Sequence, residues 1–414
     1  MIYRLSRYAL IILAIIVMGV YIPMFYHKIF DQKLGKTQVF FSPVIKKFIF
    51  QEMVGDAHDF INKDEDGKIY DRQQFETLIP FIYYKNMELW GKLPVIIEGK
   101  TFDKETILEN RQVFEVKSNE ISDRRPLVQI FPLLESAPGV ARLSFPEDAF
   151  RFTDKMEFIN VDTNKTNGVF TSLFTNALQK AGFIFPAKLV SGTVSILKPF
   201  DEGFFVVDAA NNVFHIKRLK GEPLIVKTPM PASIGARHIK IIENSRKEIY
   251  GFLITNSNEI YLIMYDNYRL VKLPLDNYQP DKMDFKLLFN PIYRTAVYWD
   301  NKKIYALAMD LQYKLIAKYE KEMFSGQKTR ADIIFSALFP FSIEMKDNTM
   351  VYLKFEPVFH GWIAFIGIFL SLAIFIAIMF LKKTDMKKTW TDFLVILFTG
   401  IYGLIAVLII SHDD

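Results

Sequence analysis

The chain's most specific chemical pattern is the run Asn62-Lys63-Asp64-Glu65-Asp66-Gly67-Lys68-Ile69. Counted as a calcium loop, it places side-chain oxygens at the first, third and fifth positions (Asn62, Asp64 and Asp66), with glycine sixth and isoleucine eighth. The twelfth position, where a bidentate glutamate closes the coordination sphere, is Gln73. A neutral amide cannot supply that two-oxygen anionic grip, and Glu76 comes three residues late. The preferred reading is therefore an Asp-Gly hairpin turn between Phe60-Ile61 and Lys68-Ile69-Tyr70, with Asn62, Asp64 and Asp66 kept as weak calcium candidates.

Other chemistries find less. The six histidines, at 27, 58, 215, 238, 360 and 412, are isolated, with no His-x-x-x-His and no Gly-x-Ser-x-Gly. His58, between Asp56 and Asp59, reads as a solvated polar face before it reads as a ligand cluster. Gly99-Lys100-Thr101 lacks the glycine five residues before the lysine that a phosphate-binding loop needs; Val95 stands there. There is no cysteine, which removes disulfides, thiol nucleophiles and cysteine-based zinc sites together. Carboxylates are plentiful. Two of them converging in the fold would make a glycosidase-type acid–base couple, and such couples obey no local spacing rule. No catalytic residue, cofactor or metal site is assigned beyond the calcium candidates, and the chain is expected not to be an enzyme.

The elements that would position any site are set by three apolar runs. Val358 to Leu381 is 24 residues without a charge; Lys382-Lys383-Thr384-Asp385-Met386-Lys387-Lys388 follows, and Phe393 to Ile410 is apolar again. This reads as a transmembrane helical hairpin around a basic loop. Near the start, Arg4 and Arg7 precede Tyr8 to Tyr26, and the bulky run Val20 to Tyr26 offers no small-residue cleavage site, so an uncleaved anchor is expected. The positive-inside rule puts the N-terminus and the 382–388 loop in the cytoplasm, and 27–357 and the tail 411–414 outside. In a bacterial inner membrane, outside means the periplasm. Six of the 51 basic and four of the 46 acidic residues lie in 1–26 and 357–414, leaving 45 and 42 between. That balance argues against a nucleic-acid surface.

Between 191 and 357 the chain repeats itself. Four units of apolar strand, polar turn and apolar strand run from Phe205 to Phe214, Phe252 to Tyr261, Ala296 to Tyr305 and Phe341 to Tyr352. The closing aromatics are 47, 44 and 47 residues apart. A period near 45 built of β-hairpins predicts propeller-like blades, completed if need be by strands from 95 to 160. Residues 27–190 read as mixed α/β, with helices after Asp71 and over Thr171–Ala181, and one further helix over Thr329–Phe339 is expected to interrupt the last repeat. The expected architecture is a mainly β periplasmic domain with a few short helices, plus three transmembrane helices: anchor 1–26, mixed part 27–190, repeat part 191–357 and hairpin 358–414.

Phe75-Glu76-Thr77-Leu78-Ile79-Pro80-Phe81, Phe131-Pro132-Leu133-Leu134-Glu135-Ser136, Gly182-Phe183-Ile184-Phe185-Pro186-Ala187 and Leu273-Pro274-Leu275-Asp276-Asn277-Tyr278 carry a family likeness. On these stretches and the order of its features, the chain resembles an uncharacterised family of bacterial inner-membrane proteins with a domain of unknown function. The resemblance implies no catalytic residues. It does imply an accessory role beside ABC-type transporter subunits, near which such proteins are encoded. The expected partners are thus the lipid bilayer and transporter subunits. An envelope enzyme acting on glycans through paired carboxylates, or a membrane sensor or assembly scaffold using the basic loop, are the alternatives.

Overall fold

A computed structural model of the chain describes residues 2–30, 37–54, 59–121, 129–323, 330–346, 354–382 and 386–410. It divides into two units: one of 37–52 with 60–322, the other of 1–36, 53–59 and 323–414. Helix α1 (Ile2–Phe30) opens the second unit and is taken up with it below.

In the first unit, β1 (Thr37–Phe41), β2 (Phe48–Val54), β3 (Asp59–Asp64) and β4 (Ile69–Tyr70) form one antiparallel sheet in sequence order. Asp71 then caps α2 (Arg72–Leu78) in a reciprocal capping box with Gln74, and the helix stops before Pro80, as its missing N–H requires. Helix α3 (Tyr84–Leu89), the ribbon β5 (Val95–Ile97) and β6 (Lys100–Phe102), α4 (Lys104–Asn110) and β7 (Gln112–Val116) follow. Next come the small sheet of β8 (Phe131–Pro132), β9 (Asp148–Phe152) and β10 (Met156–Asn160), and α5 (Gly168–Lys180).

The repeats found in the sequence are the middle hairpins of three successive antiparallel meanders. The first is β11 (Leu189–Gly192), β12 (Phe204–Val207), β13 (Val213–Leu219) and β14 (Glu222–Lys227). The second is β15 (Ala236–Ile241), β16 (Ile249–Thr255), β17 (Ile260–Met264) and β18 (Leu270–Lys272). The third is β19 (Asp284–Phe289), β20 (Arg294–Trp299), β21 (Lys303–Met309) and β22 (Leu315–Glu322), with β7 from far upstream added beside β19. The meanders stack face to face. Phe204 and Val206 of β12 pack on β8–β10 and α5, while Phe205 and Val207 meet Ile239, Leu253 and Ile263 of the second meander. Phe252 and Ile254 then face Phe285, Ala296 and Leu307 of the third. Strands buried on both faces need unbroken apolar runs, which is why these hairpins stand out in the sequence.

The stack does not close into a propeller, which corrects the sequence expectation. Its two ends are already covered, by α5 and β8–β10 at one and by β1–β4 at the other, where Phe41 meets Tyr293 and Phe48 stacks on Tyr319. Among the described residues, no bare apolar face remains for first and last sheets to share. The fourth repeat is only a two-stranded ribbon and lies in the other unit.

That other unit adds α6 (Arg330–Leu338), β23 (Phe341–Lys346) paired with β24 (Lys354–Phe359), α7 (Ala364–Lys382), α8 (Met386–Thr399) and α9 (Ile401–Ile409) to α1. Two of these helices, α1 from Leu5 to Phe30 and α7, are long and apolar enough to cross a membrane; the third expected span is not formed. Gly400 breaks it, at φ 58° and ψ −129°, and a β-carbon there would lie 3.1 Å from the Pro340 ring. The pieces are roughly 21 and 14 Å long, against a hydrocarbon thickness of about 30 Å. They run antiparallel. The Arg7 guanidinium donates to both carboxylate oxygens of Asp392 in α8, at 2.9 and 3.0 Å, and through Nε to the Ile410 carbonyl at 3.0 Å just past α9, so the end of α9 lies level with the middle of α8. The tail 411–414 and most of the basic loop (383–385) lie outside the described residues. The last described residue, Ile410, lies beside Arg7.

Candidate functional site

The calcium candidates resolve into a turn. Asp64 ends β3, and its Oδ1 accepts the backbone N–H groups of Asp66 at 3.0 Å and Lys68 at 2.9 Å. Its Oδ2 accepts the Tyr70 hydroxyl at 2.7 Å. Burial pushes the Asp64 carboxyl up, but the bonds from Tyr70, Lys68 and Asp66 outweigh it and hold the group below the usual range. Burial and that same carboxylate push Tyr70 up to about 12. The Asp66 side chain turns away to pair with Lys47, and the Asn62 Oδ1 is buried without a partner. The same aspartate-capped turn recurs at Asp208, which accepts from Ala210 and Asn212, and at Asp310, which accepts from Gln312 and Lys314. Neither of those carries a calcium pattern, so the local geometry needs no ion. Gly99-Lys100-Thr101 forms the turn and start of the β5–β6 ribbon. His58 lies outside the described residues.

The densest chemistry is elsewhere, between the first and second meanders. The loop from β11 to β12 brings in Lys198, Asp201 and Glu202. It ends at Gly203, whose φ of +66° and whose approach to the Ile216 carbonyl (2.1 Å from a built β-carbon) admit only glycine. Lys198 Nζ donates to Asp201 and to Glu243, each at 2.6 Å, and to the Thr193 carbonyl at 2.9 Å. Asp201 also accepts the Ser136 hydroxyl at 2.6 Å and the Gly203 N–H at 3.1 Å. Glu202 accepts Lys217 Nζ at 2.5 Å and the Tyr265 hydroxyl at 2.8 Å, and its own N–H donates to Glu243 at 2.8 Å. The Lys198 side chain is 6% exposed, and those of Asp201 and Glu243 are 2%.

Three carboxylates face two ammonium groups here. Burial pushes the Glu243 carboxyl up, and its Oε2 has no partner. The excess negative charge of the cluster thus resides where a proton is most easily taken. His215, on β13, contacts the Glu202 carbonyl through Nε2 at 2.5 Å and the Tyr268 hydroxyl through Nδ1 at 3.0 Å. A carbonyl only accepts, so Nε2 carries the hydrogen and Nδ1 accepts from Tyr268. Burial pushes this imidazole down to about 4, and it is neutral at physiological pH.

Three tyrosines cover the cluster. Tyr250 is stacked between Tyr265, with centroids 3.8 Å apart, and Tyr268, at 5.1 Å. Tyr268 is held there against its own backbone. It and Asn267 form the hairpin turn after β17 with φ of 56° and 47°, where glycine is favoured at the second position. A left-handed tyrosine costs about 1–2 kcal/mol, offset by the ring stack and the bond to His215. On its outer side Tyr268 helps line an open depression of about 410 Å³, together with Pro229, Met230, Pro231, Asp266, Arg269 and Leu270.

The sequence search missed this cluster because its members share no local motif. The one usable signal was the period itself: Lys198 and Glu243 are 45 residues apart and occupy the loops before the second strands of neighbouring meanders. Chemically the cluster is self-contained. Each carboxylate is engaged by lysine, tyrosine, serine or backbone N–H groups, so it cross-links two sheets.

A family model for a domain of unknown function, DUF4857, matches residues 38–309, about two thirds of the chain. The chain belongs to this family. The DUF4857 domain runs from β1 to the end of β21 and contains the whole cluster, whereas α1 and α6–α9 fall outside it. No curated protein matches the chain.

Proposed function

We propose that this DUF4857 protein is a non-enzymatic integral protein of the bacterial inner membrane, with α1 and α7 crossing the bilayer and residues 27–357 in the periplasm. Its β domain is a rigid interaction module, and the protein acts as an accessory component of an ABC-type transport system. The observation that carries this reading is the pair of apolar helices placed on either side of the family domain in sequence, joined to a domain whose buried charges are spent on holding its own sheets. The transport role rests on the family resemblance. The N-terminus and the 382–388 loop are cytoplasmic. Because Arg7 bonds both Asp392 and Ile410, α8 and α9 enter and leave the bilayer from that same side. Native co-purification from membranes, read by mass spectrometry, tests the transport role. An ATPase subunit in stoichiometric amount is expected, and repeated recovery of this chain alone overturns it. The absence of cysteine makes topology direct to measure. Single cysteines before Met1 and after Asp414 are expected to resist an impermeant thiol reagent in intact spheroplasts, while Lys302→Cys is labelled.

A second reading, an envelope enzyme acting on glycans, draws on Asp201 and Glu243 converging on Lys198. Release of reducing ends from envelope glycans that disappears in Glu243→Gln would support it over the first.

A further inference from the structure

Strands β23 and β24 pair in one register: Phe341 with Phe359, Ile343 with Pro357 and Met345 with Phe355. Side chains alternate across a ribbon, so these six apolar residues share one side, and Ser342, Glu344, Glu356 and Val358 share the other. The base of the apolar side is seated on α1, since a β-carbon at Gly19 would meet the Phe341 ring at 3.2 Å and Ile343 at 3.5 Å. The base of the other side is tied down by Ser342, 3.2 Å from His360 Nε2. Along β24 the apolar side is bare: Phe355 is 58% and Phe359 75% exposed, and Trp362, just before α7, is 87% exposed.

The depth of Gly19 identifies what covers these rings. Gly19 lies twelve residues beyond Arg7, roughly 18 Å along the helix, and Arg7 sits with Asp392 at the end of the span. In a hydrocarbon layer of about 30 Å, Gly19 is in the outer half, and the ribbon's apolar side begins there. We infer that the β23–β24 ribbon is a membrane-seated element, its Phe355, Pro357 and Phe359 side lying on the acyl chains of the outer leaflet. This rests on the reading of α1 and α7 as spans. The ribbon's free edges carry backbone groups that hydrocarbon cannot satisfy, so from its base beside Gly19 the ribbon rises toward headgroup level, with Glu344 and Glu356 on the side turned away from the acyl chains. Trp362 occupies the same interfacial zone, where indole rings are favoured. The apolar side is continuous with α1 at one end and leads through β24 into α7 at the other, which favours lipid over a second protein as its occupant.

The test uses the full chain in bilayers of phosphatidylethanolamine and phosphatidylglycerol, spin-labelled at Phe355→Cys or Phe359→Cys. Ile16→Cys on the exposed side of α1 is the lipid control and Lys302→Cys in the β20–β21 turn the water control. Labels at 355 and 359 are expected to collide more often with oxygen than with a water-soluble nickel chelate, as at 16. A label at 355 that behaves like 302 overturns the proposal. So does one shielded from both reagents, the mark of a protein partner or a second copy. If the label at 16 also reports water, the spanning reading itself falls.

Discussion

Between the first and second meanders, five charged side chains share one interior and leave a carboxylate oxygen unpartnered. Where α1 meets α8 and α9, one arginine and one aspartate form a two-pronged ion pair. The cluster of Lys198, Asp201, Glu202, Lys217 and Glu243 carries one negative charge too many, and the raised Glu243 can absorb it as a proton. Arg7 and Asp392 match fork to fork, and the guanidinium Nε donates to the Ile410 carbonyl. The difference follows from what surrounds each region. A domain in water tolerates an imbalance because protons and counter-ions are close by; under the proposed spanning arrangement the helices face hydrocarbon and have neither, so charge there must cancel at contact. Buried charge in the β domain ties two sheets together, and buried charge in the helices holds a hairpin by both its arms.

Removing a shared partner should break the contrast most sharply. Lys198→Met leaves Asp201 and Glu243 facing each other without a cation, and a loss of about 5 kcal/mol is expected, the top of the range for stranding a buried charge. It should appear as faster hydrogen exchange across β11–β18 in the full chain; unchanged protection would mean the cluster does not hold these sheets. Asp392→Ala strands Arg7 alone and should cost about 4 kcal/mol, read as lowered resistance of the solubilised chain to unfolding by dodecyl sulfate. The double variant Arg7→Met with Asp392→Leu should recover most of that loss, because an apolar pair has no desolvation penalty. A double variant as weak as the single one would show that the carbonyl bond to Ile410, and not the ion pair, is what matters.

The next effect is one of pH. His215 is held well below its unfolded value of 6.5, at about 4. Its contribution is therefore complete above pH 6.5 and is lost as pH falls through the window from 6.5 to about 4, amounting to about 3 kcal/mol. Exchange protection of β12 and β13 should decline over that window, and His215→Asn should flatten the decline. Glu243 works in the opposite sense and gives the smallest effect. Its raised carboxyl contributes most below the ordinary carboxylate range and progressively less as pH rises through its folded value. Glu243→Gln should gain on the native chain with rising pH, and a constant difference from acid to neutral pH would remove Glu243 as the seat of the excess charge.

Much of the secondary structure was legible in the residues themselves. Asp71 and Gln74 form a capping box, the 45-residue period falls on the central hairpins of the meanders, and the expected helices over Thr171–Ala181 and Thr329–Phe339 form within a few residues of those bounds. The Asp64 turn was readable too, because an aspartate that accepts backbone N–H groups two and four residues on is a local event. The buried cluster was not. Lys198 and His215 belong to the first meander and Glu243 and Tyr268 to the second, and only the stacking of the two sheets brings them together.

By itself the sequence determined the strand content, the positions of the turns, the two long apolar helices and the lack of any local catalytic motif, since each follows from side-chain periodicity and backbone preference within a few residues. Tertiary structure alone decided that the blade-like sheets form a covered stack and no ring, because closure depends on which apolar faces are left bare after distant elements have packed. It also decided that the last apolar run folds back on itself. Hydropathy measures how apolar a run is, whereas its direction was set by Gly400 and by one arginine almost four hundred residues away, reaching both arms of the hairpin.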